Sequence, residues 1–196
     1  LYPILDHCAR HASEPGIKAI IIYPMNALAT DQAKRFASAV NTDPTLKDSL
    51  RVGMYVGGDG ENRKVMSPDG VITDRPTMRN NPPDILMTNY KMLDYLLIRP
   101  DDRELWANNS SETLKFIVVD ELHTFDGAQA TDLGCLLRRL RSRLKTPDDH
   151  LCYVGTSATV GTGDQQAELL DYAGALFGTP FDDSTSIIRE HVVSES

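Results

Sequence analysis

Phe116-Ile117-Val118-Val119-Asp120-Glu121-Leu122-His123 is a β-branched, apolar run that stops at two adjacent carboxylates, with a histidine two residues on. A run of this kind, without polar alternation, suits a strand covered on both faces, as in a parallel sheet, and ligands of such sheets sit at the carboxyl ends of the strands. The octapeptide therefore delivers two acids to the ligand-binding edge of an α/β domain. Asp120 has the chemistry to hold a hydrated magnesium ion, a hard cation that favours carboxylate and water oxygens, and Glu121 can orient or deprotonate a water.

Working outward, similar short apolar runs flanked by polar or turn-forming residues predict strands at about 18–23, 51–56, 84–88, 115–120 and 151–156. Helical stripes separate them. After Asn26, an N-cap residue by type, Ala29, Ala33, Phe36, Ala37 and Val40 recur at steps of three and four. Tyr90, Leu93, Leu96 and Leu97 make a second stripe, and Leu133, Leu136, Leu137, Leu140 and Leu144 a third. Strands alternating with helices predict an α/β fold with a parallel sheet and helices on both faces. The stretch from Gly57 to Pro82, rich in Gly, Asp, Asn, Arg and Pro, is expected to be the longest irregular or partly mobile connection. Arg138, Arg139, Arg141, Arg143 and Lys145 close the leucine stripe, where basic side chains oppose the helix macrodipole and splay around the stripe; they are read as solvated structural charge.

Two strand-to-helix junctions are suited to phosphate. At Tyr23-Pro24 the strand stops, because proline cannot donate to a ladder, and a helix begins at Asn26 with its N–H groups and positive dipole end aimed outward. Thr88-Asn89 repeats the arrangement before Tyr90.

Ile20-Ile21-Ile22-Tyr23-Pro24-Met25-Asn26-Ala27-Leu28-Ala29, Pro83-Asp84-Ile85-Leu86-Met87-Thr88-Asn89-Tyr90-Lys91-Met92-Leu93, Asp120-Glu121-Leu122-His123 and Val154-Gly155-Thr156-Ser157-Ala158-Thr159 follow one another in that order. The series resembles motifs Ia, Ib, II (in its D-E-x-H form) and III of the superfamily 2 DEAD/DEAH-box helicases, closest in wording to the Lhr-like branch, from about Ile17 to Gly161. The resemblance implies a three-layer RecA-like domain and an ATP-dependent nucleic-acid motor using ATP and Mg2+. Asp120, Glu121 and His123 would be its catalytic residues, with Asp120 holding magnesium through water. Ser157 and Thr159 would couple the acidic loop to motif III, and Pro24, Asn26, Ala27, Gly57, Gly58, Thr88 and Asn89 would contact the nucleic-acid backbone, DNA favoured over RNA. A role in DNA repair or defence would follow from the Lhr-like wording.

Parts of such a motor are not in the sequence. There is no G-x-x-x-x-G-K-[ST], and Gly57-Gly58-Asp59-Gly60 lacks the Lys-Ser/Thr of a P-loop; it is read as the turn between motifs Ia and Ib. The resemblance thus implies a partial first RecA-like domain over residues 1–196 that lacks the P-loop strand. Residues 1–16 would end the helix after the P-loop, residues 161–196 would lead toward a second RecA-like domain, and that domain and the P-loop segment would be partners from the same protein. The strand at Leu151 to Thr156, which in the resembling fold lies beside the P-loop strand, would then stand at a sheet edge unless the tail around Ile187-Ile188 fills the place. The fragment alone is expected to be inactive.

At 196 residues and 41% hydrophobic content the chain is sized for one globular domain. No apolar stretch approaches the roughly 18 residues of a membrane span, and the N-terminal residues lack the pattern of a signal peptide, so no membrane partner and a cytoplasmic location are expected. Cys8, Cys135 and Cys152 have neither disulfide-framework nor zinc spacing and are read as buried free thiols. The net charge of −8 disfavours passive adhesion to nucleic acid, though a motor needs only a local strip of donors. The alternative function is a non-catalytic RecA-like binding or scaffold module. A metal-dependent hydrolase using Asp120, Glu121 and His123 directly is weaker, because no other ligand-spaced residues accompany them.

Overall fold

Short runs of β-branched and apolar residues form five parallel strands, the first four largely buried and without polar alternation, the fifth partly exposed: β1 (Ala19–Tyr23), β2 (Val52–Tyr55), β3 (Ile85–Asn89), β4 (Phe116–Val119) and β5 (Cys152–Gly155). The structure, a computed structural model, describes residues 1–58, 62–158, 164–182 and 186–188. Sheet order is β2-β3-β1-β4-β5. The register pairs Ile22 with both Thr88 and Val119, and Val119 with Gly155, so the residues that follow each strand emerge along one edge. The five strands expected from sequence are all present, and the α/β class holds.

Alternation along the strands makes two cores. Ala19, Ile21 and Tyr23, with Ile85, Met87 and Val118, pack against α1 (Tyr2–Arg10) and α2 (Asn26–Thr42), which α3 (Pro44–Lys47) extends. α4 (Arg75–Asn80) follows β2. On the other face Ile20, Ile22, Leu86, Ile117 and Val119 meet α5 (Tyr90–Ile98), α6 (Gly127–Leu144) and α7 (Asp164–Phe177). The α6 stripe Leu133, Leu136, Leu137, Leu140 and Leu144 is buried throughout, worth about 1.5–3 kcal/mol for each leucine. Residues 164–177, in the stretch read as an exit, form α7, whose Phe177 stacks on Tyr153 of β5 at 5.0 Å.

Buried ionic groups tie the amino ends of the strands. Lys18, 1% exposed, donates from Nζ to Asp84 Oδ1 at 2.7 Å and to Gly16 O, while Asp84 Oδ2 accepts from Arg51 N at 2.8 Å. One carboxylate thus joins the entries to β1, β2 and β3. On the far side, fully buried Asp102 accepts from Tyr55 OH and Arg79 Nε, both at 2.8 Å, fixing α4 against the 3-10 turn Pro100–Trp106.

Within the stretch from Gly57 to Pro82, the described residues 62–82 hold more structure than the composition suggested. Val71 and Ile72 are buried, Ile72 N donates to Val52 O at 2.9 Å, and Met54 N donates to Ile72 O at 2.8 Å, so the segment covers the outer edge of β2 before α4 begins. At the opposite side β5 is an edge strand among the described residues: it pairs with β4, and Cys152 and Gly155 are exposed. Of the three thiols expected to be buried only Cys8 is; Cys152 on this edge and Cys135 on the outer face of α6 are exposed. Ile187 and Ile188 form no strand, and Ile188 is 92% exposed.

Candidate functional site

The carboxyl edge of the sheet gathers the site. β4 runs out at Val119, Asp120 N still donates to Ile22 O at 2.9 Å, and Glu121 then takes a left-handed conformation (φ 51, ψ 51) that turns the chain into the short 3-10 turn Leu122–Thr124. A non-glycine residue in that region costs on the order of 1 kcal/mol or more, so the surroundings must hold it. Thr156, the residue after β5, does so. Its hydroxyl donates to Asp120 Oδ1 and accepts from Glu121 N at 3.1 Å, and its carbonyl accepts from Leu122 N at 2.7 Å. Gly155 leaves room beside it: a Cβ there would lie 2.8 Å from Leu122 Cδ2, so the buried leucine would have to shift.

His123 Nδ1 lies 3.1 Å from Ser157 Oγ and 3.4 Å from Glu121 Oε2, so the histidine links the acidic turn to the segment after β5. Asp120 also faces Tyr23, whose hydroxyl is pushed above its usual pKa by burial and then by the Asp120 charge. Asp120 Oδ2 carries no hydrogen bond among the described residues and stands at a half-exposed position. Among them, no group of three or more His, Cys, Asp or Glu side chains is placed to enclose a metal ion. A single free carboxylate oxygen suits a cation that keeps most of its waters, as magnesium does. Ser157 and His123 are therefore brought together as expected from sequence, while Thr159 lies outside the described residues.

The second half of the edge is formed by the starts of α2 and α5. Asn26 Nδ2 donates to Gly57 O at 3.0 Å and Asn89 Nδ2 donates to Asn26 Oδ1 at 2.6 Å, which locks the three segments together. Pro24 and exposed Ala27 lie beside them. Gly58, exposed with φ +109, takes the turn that an L side chain rarely adopts; Asp59 and Gly60 lie outside the described residues. Two expectations need correction. Asn26 is the first helical residue, not the N-cap; that position is Met25, and its side chain makes no capping bond. Thr88 is fully buried with its hydroxyl on Tyr55 O at 2.7 Å, because the β2–β3 register turns it into the sheet, so its side chain does not reach the surface. Asn89 instead caps α5, accepting from Met92 N at 2.8 Å.

Thr156 escaped the sequence reading. It stands one residue before the Ser157-Ala158-Thr159 motif, and only the pairing of Val119 with Gly155 shows that it must sit beside Asp120.

The DEAD/DEAH box helicase family model matches residues 1–167. The chain is 34% identical to Druantia protein DruE of Escherichia coli (strain UMEA 4076-1), over 83% of its own length and 14% of that protein's. It is 29% identical to ATP-dependent helicase Lhr-Core of Methanothermobacter thermautotrophicus, over 80% of its length and 17% of that protein's. Among solved structures, Mycobacterium smegmatis helicase Lhr bound to ssDNA and AMP-PNP superposes with a TM-score of 0.57 at 25% identity, covering 81% of this chain and 19% of that one. The DUF1998 helicase MrfA bound to DNA and AMPPNP shares the fold with a TM-score of 0.62 at 24% identity, covering 91% of this chain and 21% of that one. The chain thus spans well under a quarter of each of these relatives.

Proposed function

The chain belongs to the DEAD/DEAH box helicases, and from that premise we propose that it supplies the nucleic-acid-binding edge and the water-activating turn of an ATP-driven motor acting on DNA. The observation that carries the reading is the Asp120-Glu121 turn, held by Thr156 at the carboxyl edge of the sheet and joined through His123 to Ser157. Asp120 would hold magnesium through water, and that ion would neutralise phosphate charge when bound. Glu121, with its carboxylate partly exposed beside His123, would orient the attacking water and accept its proton at a carboxylate oxygen. His123 and Ser157 would report the state of this turn to the segment that follows β5.

The nucleic-acid backbone would run along the starts of α2 and α5, over Pro24, Asn26, Ala27, Gly57, Gly58 and Asn89. N–H groups at the first turn of α2 have no side-chain cap, which leaves donors for phosphate. Such contacts position a strand without reading its sequence. DNA is favoured over RNA because the Lhr structure that this chain resembles holds ssDNA. A phosphate-binding segment and a second RecA-like domain, supplied by the same protein, would complete the nucleotide site; the exposed edge of β5 supports a further strand there.

The test is ATP turnover by the full polypeptide carrying this domain, with and without single-stranded DNA or RNA of equal length. Turnover stimulated by DNA is expected. Stimulation by RNA alone would overturn the DNA preference, and no stimulation by either would overturn the motor reading.

A further inference from the structure

One position at the start of α2 is anomalous twice over. Its backbone, at φ −138 and ψ 150, is the extended conformation that a capping Ser, Thr, Asp or Asn uses, yet the residue is Met25, which has no oxygen to offer. In the same structure Asp74 caps α4 and Asn89 caps α5 through their side chains. Met25 is also 63% exposed, an apolar side chain left in water. Tyr95 of α5, 54% exposed, shares with it a notch of about 350 Å³. Half-buried Tyr90 and Met92 line the same notch, so two aromatic rings and two thioethers surround it.

The polar part of the lining is selective. Asn26, Asn89, Lys91 and Gln129 contribute, and no Asp or Glu does, in a chain whose net charge is −8. An acid-free notch with a lysine and an open helix start favours an anionic occupant, and exposed rings and thioethers favour one that also has a flat apolar face. A nucleotide unit combines the two. A purely backbone contact would use the donors and leave Met25 and Tyr95 without purpose.

We infer that Tyr95 and Met25 form a base-binding ledge, on which one base of a single-stranded nucleic acid lies while its phosphate meets the start of α2. The inference rests on the proposed nucleic-acid function and goes beyond it, because it assigns contact with a base where that reading needs contact only with the backbone. Stacking of this kind tolerates any base, since every base has a π-face.

Binding of the full polypeptide to oligothymidylate and to an abasic oligomer of equal length, titrated over a range of salt, tests the ledge. Tyr95→Ala removes a largely exposed ring from a helix that tolerates alanine. It should weaken oligothymidylate binding roughly 5- to 150-fold. It should leave abasic binding and the salt slope as in wild type, because phosphate contacts set that slope. Met25→Ala should act in the same direction, and Tyr95→Phe should bind like wild type. Equal losses on both oligomers, or no loss on oligothymidylate while wild type binds it, would overturn the ledge and leave the motor reading intact. Failure of wild type to bind either oligomer would instead overturn the nucleic-acid function itself.

Discussion

Replacing Met25 by Asp should make the protein more stable and a poorer binder of nucleic acid at the same time. The position already has the N-cap backbone, and α2 is a long helix of 17 residues that starts without a side-chain cap. A capping carboxylate is worth about 1 kcal/mol over a non-capping side chain, and its charge at the positive end of the helix adds about 0.3–1 kcal/mol at low ionic strength. For a domain of 196 residues, a gain of about 1–2 kcal/mol raises Tm by roughly 2–8 °C. The same carboxylate occupies the donors that a phosphate would use and repels the phosphate; at about 4 Å and an effective dielectric of about 20 to 80, that repulsion is about 1–4 kcal/mol. Affinity should therefore fall at least about fivefold for every single-stranded oligomer, abasic ones included. Scanning calorimetry and fluorescence anisotropy with an abasic oligomer at fixed salt read the two effects, with Met25→Ala as the control that neither caps nor repels. A rise in Tm with unchanged affinity would show that the start of α2 is not a phosphate site. A fall in affinity with no rise in Tm would show that residue 25 does not occupy the capping position.

Two further outcomes follow from single contacts. Thr156→Val removes the hydroxyl that joins Asp120 to Glu121 N while keeping the shape; kcat for ATP should drop about tenfold or more with KM little changed, and Thr156→Ser should recover most of it, so a loss that serine does not recover would assign Thr156 a packing role only. Asp84→Ala leaves the ammonium of Lys18 buried without its carboxylate and the Arg51 amide without its acceptor, which should cost about 3–5 kcal/mol in chemical unfolding; Asp84→Ala combined with Lys18→Met should recover part of that loss, and an additive double variant would contradict the pairing.

The strands were legible because apolar β-branched runs of four or five residues between turn signals have few other uses, and the helices because their stripes recur at helical spacing. What was not legible depends on register. Thr88 reads as a polar exit residue, yet its place opposite Tyr55 turns its hydroxyl into the sheet. Thr156 reads as strand, yet one step past the Val119–Gly155 pair it becomes the clamp on the acidic turn. Asn26 is the better capping residue by type, and the helix nonetheless begins one residue earlier, leaving the asparagine side chain free to bridge Gly57 and Asn89. Val71-Ile72 was the apolar signal inside the Gly57 to Pro82 connection that marked its docking on β2. The D-E-x-H acids stood out in the sequence because nothing in a buried strand calls for two adjacent carboxylates at its end.

Glu121→Gln in the full polypeptide tests the central claim most directly. The change removes the proposed proton acceptor and keeps the size of the side chain, so ATP turnover in the presence of single-stranded DNA should fall by roughly 100-fold or more, with nucleotide binding within a few-fold of wild type. Turnover by Glu121→Gln close to that of wild type would contradict the assignment of this turn to ATP hydrolysis.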